Sequence, residues 1–216
     1  MAALLFSGGC RRNAGVGTSD AKPSLPDASD LKETAKKQMH DAIEAFKNRK
    51  RYPVLTREVL ASISDKDLET ALIDYIDDVK IAGDWEHQYE IVHRLSPGFR
   101  MVYATWQVEA EVNNGGYNQF FWNSLGEFAD DAVAGFRLIG AREHAKMTQD
   151  AIAIYEKEKH THERFKRQGT MAAFSESYKH TSLNDLDKLF YHLTEDLSKL
   201  RIAYIRAHPD QFVGKP

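Results

Sequence analysis

Apolar residues in this chain recur every three to four positions and nowhere alternate between hairpin turns, so the only surface it can bury is a helical one. The stripe Leu186, Leu189, Phe190, Leu193, Leu197, Leu200 and Tyr204 predicts a long final helix over 185–207, stopped by His208-Pro209. Leu31, Ala35, Met39, Ile43 and Phe46 predict a first helix from Ser29, leaving its lysines and Arg49 to Arg51 to solvent. Pro53 and Thr56 break and restart the chain. Ser64 and Asp67 resemble a capping box that opens a helix with Leu68, Leu72, Tyr75, Ile76 and Val79 inward, ended by Gly83. Further helices are expected over 85–95, from Ser96-Pro97 to Asn113, over 117–123, over 128–139 before Gly140, and over 143–159, with a basic connector and a Gly169 loop after that. The expected fold is all-α, a single multi-helix domain over 29–216.

Residues 1–28 differ. Glycines, prolines, Ser, Thr and Asp dominate after Phe6, a composition that cannot offset its ordering entropy, and they read as a flexible leader. Cys10 is the single cysteine of 216 residues, which excludes an internal disulfide. It follows a short apolar run as an acylated lipoprotein cysteine would, but the run lacks a basic start and a full-length core. The chain reads as cytoplasmic, with a lipoprotein anchored through Cys10 as the alternative. No run approaches eighteen apolar residues, so no membrane-spanning helix is expected.

The stretch Glu111-Val112-Asn113-Asn114-Gly115-Gly116-Tyr117-Asn118-Gln119-Phe120-Phe121-Trp122-Asn123 carries the most information. Two glycines after two asparagines let the backbone leave a helix and reverse. As a structural element it is a polar joint: Glu111, Gln119 and Asn123 bond the exposed helix ends, and the aromatics bury it. As a functional element it is a cleft, with Asn114, Gln119 and Asn123 holding a small ligand and Glu111 acting as general base. No nucleophile is built into it. The remaining chemistry is sparse. Glu90 and His93 make half of a di-iron pair without a second half, and His160 with His162 could share a metal only on an extended segment. No cofactor or metal is expected.

With Ala134 to Ala141 and Leu186 to Tyr191, this stretch resembles a bacterial domain-of-unknown-function family whose best-known member is a DNA-mimic protein. The resemblance spans about residues 55–213. It implies an all-helical fold, no catalytic activity, and for that member a role as decoy for a DNA-binding regulator.

The formal charge of −3 conceals a strong asymmetry. Residues 1–53 hold ten basic and six acidic side chains, 54–131 five and fifteen, and 132–216 fourteen and eleven, so the middle segment alone is −10. On a helical wheel Asp67, Asp74 and Asp78 fall within about 40° of one another, opposite the Leu68/Leu72/Val79 stripe. Asp77 widens that face, and Asp84 and Glu86 follow. Carboxylates spaced this way can present a duplex-like potential to a basic groove. The leading expectation is therefore a non-enzymatic interaction protein whose acidic face binds a basic partner, a DNA-binding regulator, without binding nucleic acid directly; the sequence leaves a homodimer open. The alternative is a ligand-binding or hydrolytic enzyme at the Asn-Asn-Gly-Gly turn.

Overall fold

A computed structural model describes residues 28–214, with side chains from Lys32 onward. The leader and Cys10 lie outside the described residues. Ten α-helices, with short 3-10 and π turns between them, account for the regular structure, and among the described residues there is no strand. The helices are α1 (Ala28–Lys47), α2 (Arg57–Ser62), α3 (Asp65–Tyr75), α4 (Gln88–His93), α5 (Pro97–Trp122), α6 (Ala129–Ile139), α7 (Arg142–Lys166), α8 (Met171–Ser177), α9 (Leu183–Phe190) and α10 (Leu197–Ala207). The chain divides at Tyr52, with α1 in one unit and α2 to α10 in another. No described helix is long and apolar enough to cross a membrane.

In the larger unit, α5 is the axis. Val102, Tyr103, Ala104, Val108, Val112, Tyr117 and Phe120 are all fully buried along it. It packs against α6, α7 and α9, and α6 packs against α7 in turn. Gly135 of α6 has no room for a side chain, because a Cβ there would meet Thr105 and the Met101 carbonyl of α5. Small residues thus bring these two helices into close contact. The chain end closes the other side, where the Gly214 amide donates to the Leu55 carbonyl (2.9 Å) and Phe212 lies edge-on to Phe99.

Three departures from the periodicity have physical causes. The stripe over 185–207 is two helices, because Glu195 and Asp196 are needed as caps. Glu195 accepts from the amides of Glu143 and His144 and from the His144 ring (3.0, 3.1 and 2.7 Å), closing the start of α7. Asp196 accepts from the Lys199 amide (3.0 Å) to open α10. Carboxylates held inside a continuous helix could not reach those amides.

Second, α7 runs through the expected basic connector to Lys166, since buried His162 and Phe165 continue its inward face by one turn. His160 is exposed while His162 is buried, so the two do not converge. Third, α3 passes into a π-helical turn, Ile76–Ile81, which ends at Ala82 in a left-handed conformation followed by Gly83 (φ 91°). A π turn slips the angular phase of everything after it. Val79, expected inside, is 38% exposed.

Arg201 of α10 is 1% exposed and bonds both Glu69 of α3 and Glu109 of α5. Burial alone would lower its pKa, but the two carboxylates hold it above the ordinary guanidinium value. Removing the guanidinium leaves two half-buried carboxylates facing each other. Arg201→Ala is therefore expected to cost roughly 3–5 kcal/mol of stability. Urea unfolding should show a lower midpoint at unchanged slope, whereas a loss under 1 kcal/mol would mean solvent had already screened the pair.

Candidate functional site

The signature segment lies inside α5, which breaks at Gly115 and Gly116 and resumes at Tyr117. Gly116 adopts φ 74°, ψ 179°, a region reached in practice only by glycine. A Cβ on it would also overlap the Asp187 carboxylate. Gly115 keeps a negative φ (φ −159°, ψ 22°), and a Cβ there would meet the Gln119 side chain, which Glu111 holds.

A helix interrupted in a core exposes carbonyls on one side of the break and amides on the other, and each must be paired. Three side chains from the C-terminal part of the chain do this. Tyr191 donates its hydroxyl to the Val112 carbonyl (2.9 Å), and Tyr178 donates to the Gly115 carbonyl (2.7 Å). The Asp187 carboxylate accepts from the Tyr117 amide (2.8 Å), capping the second half of the helix from outside its own sequence. Burial raises the Asp187 pKa, and the Tyr117 amide opposes that rise.

Glu111, Gln119 and Asn123 do not bond the helix ends as the sequence suggested; they bond one another. Glu111 Oε2 accepts from the side-chain amides of Gln119 (2.9 Å) and Asn123 (2.7 Å), stapling the two halves across the break. Asn113 and Asn114 face solvent. Tyr117, Phe120 and Phe121 are buried and Trp122 lies nearer the surface. The Phe121 ring stacks on Tyr155 of α7 at 4.2 Å, and the Tyr117 hydroxyl meets Thr148 at 3.0 Å. Behind the joint, Asn118 donates to Ser177 of α8 (2.8 Å), and His162 sits beneath Trp122 and Tyr155 with its Nδ1 buried and unbonded. Of the residues expected to line a cleft, Gln119 and Asn123 are thus spent on Glu111, and Asn114 lies at the surface. Among the described residues no group of three or more His, Cys, Asp or Glu could hold a metal. His93 instead approaches Asp131 (3.5 Å), away from any pairing with Glu90.

The acidic residues are distributed differently from the helical wheel. Asp67, Asp78, Asp84 and Glu86 are exposed. Asp74 is 6% exposed and does not share their face. Residues 71–76 are buried without a gap, so the end of α3 is enclosed all round and a one-sided projection fails there. Asp77 is half-buried and accepts from the Tyr103 hydroxyl (2.9 Å), which in turn accepts from Gln88 (2.7 Å). Burial first, and then Asp77, push the Tyr103 phenol far above its usual pKa. Other acids of the middle segment are neutralised from the C-terminal third: Asp65 by Arg206 (2.7 Å), and Glu69 and Glu109 by Arg201.

Beyond the π turn, Asp84, Glu86 and Glu90 are all exposed. Asp84 bonds His87 (2.8 Å) and raises its pKa, with Glu86 and Glu90 adding to the effect. Three acids the sequence reading missed extend this field. Tyr89 has its pKa raised by burial and then by Asp131, with Arg100, which pairs with Asp131 (3.3 Å), opposing and Glu127 and Asp130 adding; the acids arrive from the 124–128 turn and α6. Only the packing of α4 on that turn brings them together, and no spacing signals it.

Two outcomes follow from the joint. Gly116→Ala is expected to lose roughly 1–3 kcal/mol to backbone strain alone, with the Asp187 clash on top, and to lose more than Gly115→Ala, which displaces the Gln119 side chain at a negative φ. Equal losses in denaturant unfolding would remove Gly116 from its special role. Burial holds His162 below the ordinary imidazole value of 6.5, so the folded state favours the neutral ring. Its contribution to stability is complete above pH 6.5 and is lost as pH falls through the folded pKa. Unfolding midpoints measured at about pH 7.5 and about pH 5 should fall less in His162→Gln than in the parent chain.

No curated protein and no solved structure matches the chain. A family model does, over residues 93–208, a span that takes in the broken helix with Tyr178, Asp187 and Tyr191 and starts after Asp67 to Glu86. It is shorter than the 55–213 suggested by resemblance and includes more than half of the chain. By that match the chain belongs to the family of DMP19-like proteins.

Proposed function

We propose that this protein is a non-enzymatic interaction module that uses its acidic face as a DNA-like decoy for a positively charged, DNA-binding regulator. Membership of the DMP19-like family supports an interaction role at family level, and the resemblance to a family typified by a DNA mimic supplies the specific form of it. Fold alone would not carry that step. The observation that carries it is the run of carboxylates that lies exposed at the surface. Asp67, Asp78, Asp84, Glu86 and Glu90 stay at the surface, Asp77 lies at its edge, and Glu127 and Asp130 widen the field beside Tyr89. Carboxylates on a rigid helical frame act on a basic groove as phosphates do, through long-range attraction that speeds encounter and weakens with salt. Asp74 takes no part, being enclosed in the core. The enzymatic reading finds no comparable support, because Glu111, Gln119 and Asn123 are engaged with each other.

The test is affinity capture from lysate of the source cell, with the parent chain beside a variant carrying Asp78→Asn, Asp84→Asn and Glu86→Gln. A basic DNA-binding protein should be retained by the parent chain, eluted by a salt step and displaced by duplex DNA. Three surface charges at about 0.5 kcal/mol each predict binding roughly tenfold weaker in the variant. Equal retention by both chains, or retention indifferent to salt and to DNA, would overturn the proposal.

A further inference from the structure

The decoy reading leaves α1 unused, and α1 has a surface of its own. At 100° per residue, Ala42, Ala35, Phe46, Met39 and Ile43 fall within an arc of about 100°. Met39 and Phe46 on this arc are 53% and 40% exposed, and every residue from Lys32 to Asp41 is exposed. Lys32, Lys36 and Lys47 lie along or just beyond the Ile43 edge of the arc, whereas Glu33, Asp41 and Glu44 occupy the opposite side. The guanidinium of Arg49 sits 3.5 Å from the centre of the Phe46 ring, placing a cation directly on the apolar face. Lys50 and Arg51 follow. From Lys32 to Arg51 there are seven Lys and Arg against three Asp and Glu.

A helix kept merely in solvent gains from mixing its charges at four-residue intervals around its polar face. Here Lys37 shares the side of Glu33, Asp41 and Glu44, and Lys47 pairs with Glu44 (3.1 Å), but no anion lies on the apolar arc, and Lys32, Lys36 and Arg49 border it. That arrangement suits a plane in which apolar side chains enter an acyl boundary, lysine stems run along it, and ammonium groups reach anionic headgroups. Diffuse cationic density over twenty residues fits a sheet of headgroups better than a single acidic pocket. The acidic middle segment supplies no attraction to such a surface, so binding would have to come from α1.

We infer that α1 is an interfacial helix that binds anionic lipid bilayers, a function additional to that of the acidic face. The juxtaposition that assigns it is the exposed Met39–Phe46 arc bordered by Lys32, Lys36, Lys47 and Arg49. The experiment is flotation of the full chain with vesicles of phosphatidylcholine alone and with vesicles that also contain phosphatidylglycerol. The chain should float with the anionic vesicles at low salt, leave them as salt rises, and ignore the neutral ones. Lys32→Gln and Lys36→Gln should each lower the partition coefficient roughly fivefold. Met39→Glu with Phe46→Glu should abolish flotation while circular dichroism shows the helical domain unchanged.

Absence of flotation with anionic vesicles overturns the inference, as does flotation that survives the double substitution. Self-association that depends on Met39 and Phe46 without vesicle binding, read by light scattering, would overturn it in favour of a helix pair. Retention of an acidic protein through the same residues, again without vesicle binding, would overturn it in favour of a protein groove.

Discussion

The peptide groups exposed where α5 breaks are the constraint on which the larger unit depends. Breaking a central helix inside a core leaves carbonyls and amides that cost about 1–3 kcal/mol each if unpaired. The pairing comes from 60 to 80 residues further along the chain, from Tyr178, Asp187 and Tyr191. Asp187 of α9 and the tyrosines just after α8 and α9 thus pair the groups that a defect in α5 leaves open. The same logic joins α7 to this region in both directions. Glu195 caps the start of α7, and Glu158 of α7 accepts from the Ser182 amide (3.0 Å) and the Thr181 hydroxyl (2.6 Å) ahead of α9. Helix ends close one another through carboxylates on neighbouring elements, so a cooperative unit forms with few local caps.

The second constraint is charge. Fifteen acids against five bases in residues 54–131 would repel if all stayed at one surface. The fold relieves this by bringing Arg201 and Arg206 of α10 onto Glu69, Glu109 and Asp65. Those cations come from the basic C-terminal third, so its modest positive excess is partly used inside the molecule. What remains outward is concentrated after the π turn, where Asp84, Glu86 and Glu90 act together on His87.

Helix existence was legible wherever periodicity ran into a clear stop: Gly83, Gly140 and Ser96-Pro97 all mark real boundaries. The break in α5 was legible too, because Asn-Asn-Gly-Gly admits few alternatives. The side chains that clasp it were not, since Tyr178, Asp187 and Tyr191 are distant in sequence and look like ordinary helix-surface residues. The 185–207 stripe misled because leucine spacing continues across the 191–196 gap, and only the need of α7 for a cap explains the interruption. The wheel placed Asp74 outside because it assumes one exposed face and constant phase. The end of α3 is enclosed, and the π turn then shifts the register of Asp78 and Val79.

The limits of the family match bear on how function is distributed along the chain. Residues 93–208 contain the broken helix, its staple at Glu111, and all three side chains that pair its open ends. They exclude Asp67, Asp77, Asp78, Asp84 and Glu86, and they exclude α1. The matched span thus contains the joint that holds the scaffold together, along with Glu127 and Asp130. The outward carboxylates from Asp67 to Glu90 and the cation-bordered helix lie outside that span. A substitution in the joint acts through stability and so through every surface at once, whereas one on the π-turn face or on α1 can change a partner without disturbing the core. The joint and the exposed carboxylates use different side chains, so the scaffold's stability and its surface charge can vary independently.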